Sequence, residues 1–284
     1  MFLNHYKNKR VLITGHTGFK GSWLTLWLSK LGANIQGFSK DIPTNPSLFE
    51  ALDLEKEINH SIGDILDYDS LLKVFKDFKP EIVFHLAAQP IVSESIKNPI
   101  DTYKTNIIGS ANLLECIRNS DSIKSAVMIT SDKCYENVEW DYGYREVDTL
   151  GGKDPYSASK AGAEIIFSSY FRSFIKEKNI GICTARAGNV IGGGDWAKDR
   201  IVPDTIKSWS SNFPVDLRNP LSTRPWQHVL EPLSGYLLLG SCLLNNKVLN
   251  NGSSFNFGPS SEVIKSVEDL IDEMSNFWHD AQKN

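Results

Sequence analysis

The sequence predicts an α/β fold in which helices cover both faces of one doubly wound parallel sheet. Short apolar, β-branched runs alternate with longer helical patterns through the first two thirds of the chain. This alternation is typical of strands joined by crossover helices. The runs are also too apolar for strands with one face in water, so we expect both faces of the sheet to be buried.

The individual elements follow from the same patterns. The predicted strands are Val11–Thr14, Asn34–Ser39, a weaker strand near Ile62, Ile82–Ala88, Ala126–Ser131 and Gly181–Arg186. The predicted helices are Phe19–Leu31, Ser70–Phe78, Ile100–Asn119, Tyr156–Lys178 and Val263–Trp278. In the first helix, Phe19, Trp23, Trp27 and Leu31 recur every four residues, and Gly32 stands where that helix should end.

After Arg186 the composition changes. Glycine, proline and tryptophan cluster in GNVIGGGDW and NPLSTRPW, and the elements become shorter. Loops on a rigid scaffold are the usual place for a substrate pocket. We therefore expect a dinucleotide-binding domain over residues 1–186 and a small substrate-binding lobe over residues 187–284, with some segments of the lobe returning to the first domain.

Composition and charge exclude several classes of protein. The chain has 284 residues, of which 41% are apolar and 23% charged, and 30 basic residues face 34 acidic ones. Without a basic excess, nucleic acid is not an expected partner. The longest nearly apolar stretch, Tyr236–Leu244, is far shorter than the roughly 20 residues that a bilayer requires. The four cysteines are scattered and the first residues lack a secretory pattern, so we expect a cytoplasmic protein with reduced thiols and no metal site.

The segment VLITGHTGFKG places Gly15, Gly18 and Gly21 between a predicted strand and a predicted helix. Such a turn lets backbone N–H groups approach a pyrophosphate at the positive end of a helix. Glycines alone also serve purely backbone purposes, but the strand–turn–helix context favours a Rossmann-type dinucleotide site. His16 and Lys20 lie inside the turn, where they either contact cofactor phosphates or remain solvated.

The residues after the next two strands bear on the adenosine end of the cofactor. The second strand is followed by GFSKDIP, in which Ser39 and Lys40 occupy the positions where an acid would hold a ribose hydroxyl, and Asp41 comes late. This segment leaves NAD and NADP both open. Asp64, after the third strand, is placed either for an adenine contact or for a helix cap or turn.

The segment YSASK places Tyr156 and Lys160 four residues apart, on one face of a predicted helix. An ammonium group beside a phenol favours the phenolate, which makes Tyr156 a candidate base for a sugar hydroxyl. Ser131, at the end of a predicted strand, could hydrogen-bond the same hydroxyl.

Longer stretches extend these motifs into a resemblance. With the glycine turn and YSASK, the stretches TSDKCYEN, RAGNVIGGGDWAKDRIVPD and RPWQHVLEPLSGY resemble the nucleotide-sugar branch of the extended short-chain dehydrogenase/reductases. The match is most specific to the 4,6-dehydratases that act on CDP-glucose, and it runs from Val11 to Phe257. It implies bound NAD, a CDP-glucose substrate, a role in deoxysugar synthesis for lipopolysaccharide O-antigen, and a homodimer or a dimer of dimers.

The implied reaction has three stages. C4 of the hexose is oxidised by NAD, water is lost across C5 and C6, and the hydride returns to C6. The elimination needs an acid and a base, which Asp132 and Lys133 supply directly after Ser131. The dTDP-glucose relatives carry Asp-Glu here, and simple epimerases and reductases lack ionisable groups at these positions. Lys133 could instead act only as a cap or as the partner of a carboxylate.

The resemblance also implies contacts elsewhere in the chain. Further cofactor contacts are implied at Phe19, Ile65, Leu86, Ala87, Ala88 and Thr105. Substrate contacts are implied at Gln89, Asn189, Arg200 and Arg224, with arginine suited to phosphate. Asn106 fits a structural role at least as well as a cofactor contact.

Two alternative functions stay open at this point. One is a different nucleotide-sugar 4,6-dehydratase or a 4-epimerase, and the other is a catalytically silent dinucleotide-binding regulator. Because relatives usually continue beyond the position of Trp278, we also expect this chain to be shortened at its C-terminal end.

Overall fold

Seven parallel strands form one sheet in the computed structural model, which describes residues 2–245, 251–260 and 265–281. The strands of this sheet are β1 (Arg10–Thr14), β2 (Asn34–Ser39), β3 (Asn59–Ile62), β4 (Ile82–His85), β5 (Ser125–Ile129), β6 (Gly181–Ala187) and β10 (Ser254–Phe257). The short strands β7 (Val190–Ile191), β8 (Thr223–Arg224), β9 (Gln227–His228) and β11 (Lys265–Ser266) lie outside it. The order across the sheet is β10-β6-β5-β4-β1-β2-β3. It reverses between β1 and β4, which opens a crevice at the carboxyl ends of these strands.

The helices lie between the strands. They are α1 (Phe19–Lys30), α2 (Leu48–Ala51), α3 (Tyr68–Phe78), α4 (Val92–Lys97), α5 (Pro99–Tyr103), α6 (Gly109–Arg118), α7 (Pro155–Tyr170), α8 (Ile201–Ser210), α9 (Leu230–Leu244) and α10 (Val267–Ser275). Short 3₁₀ turns occupy Phe2–Tyr6, Leu54–Lys56 and Asp132–Cys134. None of the helices in the described ranges combines the length and apolar character that crossing a membrane requires.

Two apolar cores cover opposite faces of the sheet. Along β1, Val11 and Ile13 belong to one core, while Leu12 between them belongs to the other. This is the alternation that a strand buried on both faces must show. Helices α1 and α9 contribute to the first core, and α3, α6 and α7 to the second. The predicted doubly wound sheet is therefore confirmed.

The element boundaries differ from the prediction mainly at the carboxyl edge of the sheet. Strands β4 and β5 end at His85 and Ile129, earlier than predicted, because the chain turns there into loops. The single helix predicted over Ile100–Asn119 is interrupted by a π turn at Lys104–Ile108, and α7 runs into a second π turn at Phe171–Ile175. Helix α10 occupies the later part of the helix predicted from Val263, and residues 263 and 264 lie outside the described residues.

The part of the chain after residue 186 is divided between two locations. Strand β10 pairs in parallel with β6, and α9 packs on β5 and β6. Trp209, Val215 and Ile271 form a separate small core beside α8 and α10. Segments thus return to the sheet as expected, while the boundary between residues 186 and 187 stays a prediction.

Candidate active site

A cavity of about 1,620 Å³ lies at the carboxyl edge of the sheet, between β1, β4, β5 and the segments that follow β6. The residues that the sequence suggested for catalysis, cofactor binding or substrate binding line this cavity, with the exceptions of His16 and Asn106. The fold therefore brings the predicted residues together at one site.

The glycine turn forms one wall of the cavity. Gly15 has a φ of +76°, and a Cβ atom there would lie 2.6 Å from the backbone nitrogen of Ala87. Only glycine fits this close approach of two loops. Gly18 occupies the N-cap of α1 and lines the cavity, so no side chain closes the positive end of that helix. A pyrophosphate can be bound there.

His16 lies elsewhere than predicted. Its buried ring hydrogen-bonds Ser39 through Nδ1 at 2.8 Å and His60 through Nε2 at 2.6 Å. The ring also lies against Gly37, where a Cβ atom would come within 2.4 Å of it. Burial and the neighbouring His60 lower the pKa of His16 to about 3. The side chain anchors the turn to β2 and is not placed to contact a cofactor phosphate in the cavity.

The far end of the cavity is lined by the loops after β2 and β3. Asp64 accepts a hydrogen bond from the backbone of Leu66 at 2.9 Å and pairs with Lys40 at 3.0 Å. It is thus a turn residue that also faces the cavity, so both interpretations of Asp64 fit the geometry. The hydroxyl of Ser39 is already engaged by His16, as described above.

The segment after β5 carries the residues predicted for chemistry. Ser131 caps the short turn Asp132–Cys134, and its hydroxyl accepts a hydrogen bond from the backbone N–H of Lys133 at 3.3 Å. The same hydroxyl donates to Asp132 at 3.0 Å. The turn places Ser131, Asp132 and Lys133 side by side on the wall of the cavity.

Helix α7 presents Tyr156 and Lys160 from the opposite side. Asp154 caps the helix by accepting from the backbone of Ser157 at 3.0 Å, and Pro155 occupies the first turn, where it is well tolerated. The phenol of Tyr156 hydrogen-bonds Ser131, and Lys160 donates to the carbonyl of Ile129 at 3.4 Å. The serine, tyrosine and lysine therefore meet as the motifs predicted.

Burial dominates the electrostatics of these groups. It raises the pKa of Tyr156 to about 12, against a smaller lowering by the neighbouring hydroxyl of Ser131. The positive charge of Arg200 also lowers this pKa, but by less than desolvation raises it. That Lys160 favours the phenolate of Tyr156 stays a prediction. Burial also lowers the pKa of Lys160 to about 8 and raises that of Asp132. Asp132 is therefore biased towards the protonated acid.

The residues implied for substrate binding differ in how free their polar groups are. The side chain of Gln89 is turned onto its own loop, donating to the carbonyl of Ile91 and to Thr102 at 3.1 and 2.9 Å. Arg200 pairs with Asp195 at 2.7 Å, while Arg224 is exposed and lines the cavity beside Asn189. Arg224 is the more available of the two cations for a phosphate.

Asn106 has a structural role. Its Oδ1 accepts from the backbone of Gln89 at 2.8 Å, and its Nδ2 donates to Ser159 at 2.8 Å. It joins the π turn to the loop after β4 and to α7, while its neighbour Thr105 lines the cavity.

Several residues of the cavity wall were not predicted from the sequence. They are Asp195, Asp204, Arg218 and Trp226. Asp195 has a signal in GGGDW, where an acid precedes Arg200 by five residues. Asp204 and Trp226 lie in the stretches RAGNVIGGGDWAKDRIVPD and RPWQHVLEPLSGY, but nothing local shows that they face the cavity, and Arg218 has no local pattern. Tertiary packing of the C-terminal segments brings all three to the cavity.

Comparison with known proteins is consistent with this site. Residues 12–276 match the family model of GDP-mannose 4,6 dehydratase. The CDP-glucose 4,6-dehydratase of Salmonella typhimurium is 50% identical, over 98% of this chain and 78% of its own length. The dTDP-glucose 4,6-dehydratase of Haemophilus influenzae is 24% identical, over 93% of this chain and 80% of its own.

Solved structures show the same fold at lower identity. An epimerase from Methanothermobacter thermautotrophicus superposes with a TM-score of 0.84 at 24% identity, covering 100% of this chain and 81% of its own. The dTDP-glucose 4,6-dehydratase of Streptomyces venezuelae, determined with NAD bound, gives a TM-score of 0.78 at 20% identity, covering 94% of this chain and 81% of its own. From the matches along the sequence, the chain belongs to the GDP-mannose 4,6 dehydratase family, within the extended short-chain dehydrogenase/reductase superfamily.

Proposed function

We propose that this chain converts CDP-glucose to CDP-4-keto-6-deoxyglucose with bound NAD. The observation that carries the proposal is the placement of Asp132 and Lys133 in the same cavity as Ser131, Tyr156 and Lys160. The serine, tyrosine and lysine suffice for oxidation at C4, whereas removal of water needs a further acid and base. The Salmonella relative of the same activity supports CDP-glucose as the substrate.

The residues present fit a dinucleotide. The open N-terminus of α1 at Gly18 would hold the pyrophosphate, and Asp64 with Ile65 would face the adenosine. Tyr156 and Lys160 would face the nicotinamide end. When bound, NAD supplies the group that accepts a hydride from C4 of the sugar and returns it at C6.

Tyr156 acts on the hydroxyl at C4. Its phenol oxygen takes the proton of that hydroxyl, and the hydroxyl of Ser131, released from Asp132, would donate a hydrogen bond that holds the sugar oxygen in place. The ammonium of Lys160, on the same helix face, offsets the charge that develops on Tyr156.

Asp132 and Lys133 perform the elimination. Lys133 takes the proton from C5, which the 4-ketone has made acidic. The electron pair of that C–H bond forms the C5–C6 double bond, and the C6–O bond breaks. Asp132 gives its proton to the departing hydroxyl, which leaves as water, and Lys133 returns a proton to C5 when C6 receives the hydride. Burial raises the pKa of Asp132, and this favours the protonated carboxyl that the step requires.

A side-by-side assay with CDP-glucose and dTDP-glucose tests the proposal. We expect the wild-type protein with NAD to form a 4-keto-6-deoxy sugar, detected by its strong absorbance in alkali, and to prefer CDP-glucose. Preference for dTDP-glucose would indicate another 4,6-dehydratase, and recovery of a C4 epimer alone would indicate a 4-epimerase. Binding of NAD without any product would support the silent regulator and contradict the proposal.

We also propose that two copies pair through α5, the π turn that follows it, and α7. These elements contact one another and carry Ile100, Ile108 and Ile165, which are 62%, 51% and 58% exposed. Exposed isoleucines on adjoining helices favour association. Ile165→Lys should shift the protein from dimer to monomer in sedimentation equilibrium, and a monomeric wild type would contradict the pairing. Because NAD and nucleotide sugars are cytoplasmic metabolites, we propose the cytoplasm as the place of this reaction.

A further inference from the structure

A buried ion pair lies directly behind the candidate active site. Glu164 of α7 and Arg186 of β6 are 2% and 4% exposed, and their charged atoms are 2.7 Å apart. Three hydroxyl groups also donate to the carboxylate: Thr130, Thr184 at 2.9 Å and Ser254 at 3.1 Å. The carboxylate is therefore bound by three strands or strand ends as well as by the arginine.

The arginine extends the network to the other flank of the catalytic turn. It donates to the hydroxyl of Tyr135 at 2.7 Å and to the backbone carbonyl of Glu146 at 3.1 Å. Its guanidinium also lies 5.0 Å from the centre of the Tyr135 ring. A buried ion pair contributes little net stability relative to an apolar replacement, because desolvation of the charges offsets their attraction. The position of this ion pair therefore needs an explanation other than a contribution to stability.

The network touches the catalytic elements at three points. Thr130 immediately precedes Ser131, and Tyr135 immediately follows the turn Asp132–Cys134. Glu164 lies one helical turn beyond Lys160 on α7. Both flanks of the turn, and the helix opposite to it, are thus attached to the same ion pair.

We propose that the Glu164–Arg186 ion pair is the positioning device of this active site. It fixes both flanks of residues 131–134 against β6 and β10, and it supplies the negative charge behind the helix face that presents Tyr156 and Lys160. Neither residue lines the cavity, so both act through the groups that they hold. The activity readouts of this inference rest on the proposed function.

The charge of Glu164 has a measurable consequence for Lys160. Burial lowers the pKa of Lys160, and the carboxylate of Glu164 opposes that shift most strongly, with a smaller opposing contribution from Cys134. The other groups that face Lys160 are Tyr156 on the same helix, His85 of β4 and Lys20 of α1. His85 has a pKa of about 3 and is neutral at physiological pH. Removing the carboxylate should therefore move the pKa of Lys160 below its present value of about 8.

The first experiment replaces the carboxylate in the NAD-loaded enzyme. Glu164→Gln should lower kcat roughly 10- to 100-fold, as expected for misplaced catalytic groups, with little change in KM for CDP-glucose. The alkaline limb of the kcat–pH profile should also move to lower pH, and Glu164→Asp, which keeps the charge, should restore the limb. An unmoved limb, or a kcat equal to that of the wild type, would overturn the inference.

A matched pair of variants keeps the inference testable if Glu164→Gln does not fold. Thr130→Val and Thr184→Val each remove one hydroxyl from the same carboxylate, but only Thr130 adjoins Ser131. We expect Thr130→Val to lower kcat about tenfold and Thr184→Val to leave kcat unchanged while lowering thermal stability. Equal effects of the two substitutions on kcat would show that the network stabilises the fold without positioning the turn.

A readout that needs no turnover separates this inference from the proposed function. In protein labelled with ¹³C at lysine Cε, the signal of Lys160 can be assigned by its absence from Lys160→Met and then titrated by NMR. The titration midpoint of Lys160 should be lower in Glu164→Gln than in the wild type. If Glu164→Gln does not fold, the midpoint should be higher in Glu164→Asp than in the double variant Arg186→Met/Glu164→Gln. If the wild type makes no product from CDP-glucose, the proposed function fails. The titration would still test whether Glu164 acts on Lys160. Identical midpoints would overturn the inference.

Discussion

Two carboxylates connect the central strands at opposite edges of the sheet, and their surroundings differ. Glu81, at the amino edge, is itself buried but faces Lys9, Arg10 and Lys124, whose side chains are partly exposed to water. Glu164, at the carboxyl edge, faces Arg186 in a site closed to solvent. The amino edge joins strands through pairs whose cations reach water, whereas both partners of the ion pair at the carboxyl edge are buried next to the cavity. The difference shows that this fold places the polar groups that are costly to desolvate next to the cavity, where the reaction requires side chains in fixed positions.

The largest effect should come from the phenol at the carboxyl edge. Tyr156→Phe removes the base that takes the sugar proton, so kcat should fall roughly 10²- to 10⁴-fold. The control is Tyr6→Phe, which removes another buried phenol hydroxyl, bonded at 2.5 Å to the carbonyl of Leu237 and remote from the cavity. We expect the control to keep its kcat and to lose about 1 kcal/mol of stability. Full activity of Tyr156→Phe in steady-state kinetics would remove Tyr156 from the mechanism.

Two lysines at opposite ends of β5 sharpen the comparison. Lys133→Ala, after the strand, should permit oxidation at C4 but reduce formation of the deoxysugar by about 10²-fold or more, because the base for C5 is lost. Reduced cofactor should then appear transiently in stopped-flow absorbance. Lys124→Ala, before the strand, removes only a partner of Glu81 and should leave product formation unchanged. Wild-type product formation by Lys133→Ala would leave Lys133 with the role of a cap or ion-pair partner.

The two ionic clusters should also differ in stability. Arg186→Met leaves Glu164 charged and buried, and we expect a loss of about 3–5 kcal/mol in the free energy of unfolding. Glu81→Gln breaks pairs whose cations are solvated, and we expect a loss of about 1 kcal/mol. Urea denaturation measures both values. Similar losses for the two variants would refute the difference between the edges.

A smaller effect concerns acid stability. Burial lowers the pKa of His85 from 6.5 to about 3. Between these values the unfolded chain binds a proton that the native state does not, so stability falls as the pH falls from about 6.5. The contribution of His85 should reach about 2 kcal/mol by pH 5, and His85→Gln should remove it while leaving the similar contribution of His16, whose pKa is also about 3. His279→Gln, at a fully exposed position, is the control and should keep the wild-type pH dependence in urea denaturation.

Much of the architecture was accessible from the sequence, because strands buried on both faces leave continuous apolar runs. Strand β2 has the predicted bounds, and the glycine turn precedes α1 as expected. The seventh strand was not predicted, because β10 is short and its neighbour β6 is distant in sequence. The π turn inside the predicted helix Ile100–Asn119 also has no composition signal.

The sequence predicted which residues form the candidate site, but it predicted less well what surrounds them. The motifs identified Ser131, Tyr156 and Lys160, since their spacing fixes a strand end and a helix face. The inward direction of His16 depends on Ser39 and His60, which only tertiary packing brings to it. The spacing of Glu164 from Lys160 suggests an ordinary pair on a helix surface. Glu164 is buried only because β5, β6 and β10 converge there.

The most direct test of the central claim follows a label through the reaction. CDP-glucose carrying deuterium at C4 is incubated with the wild-type protein and NAD in ordinary water, and the product is analysed by mass spectrometry and NMR. If this chain carries out oxidation, elimination and return, the deuterium should be found at C6 of a 4-keto-6-deoxy sugar, with hydrogen from solvent at C5. Deuterium retained at C4 of an epimer or of unchanged substrate would contradict this account.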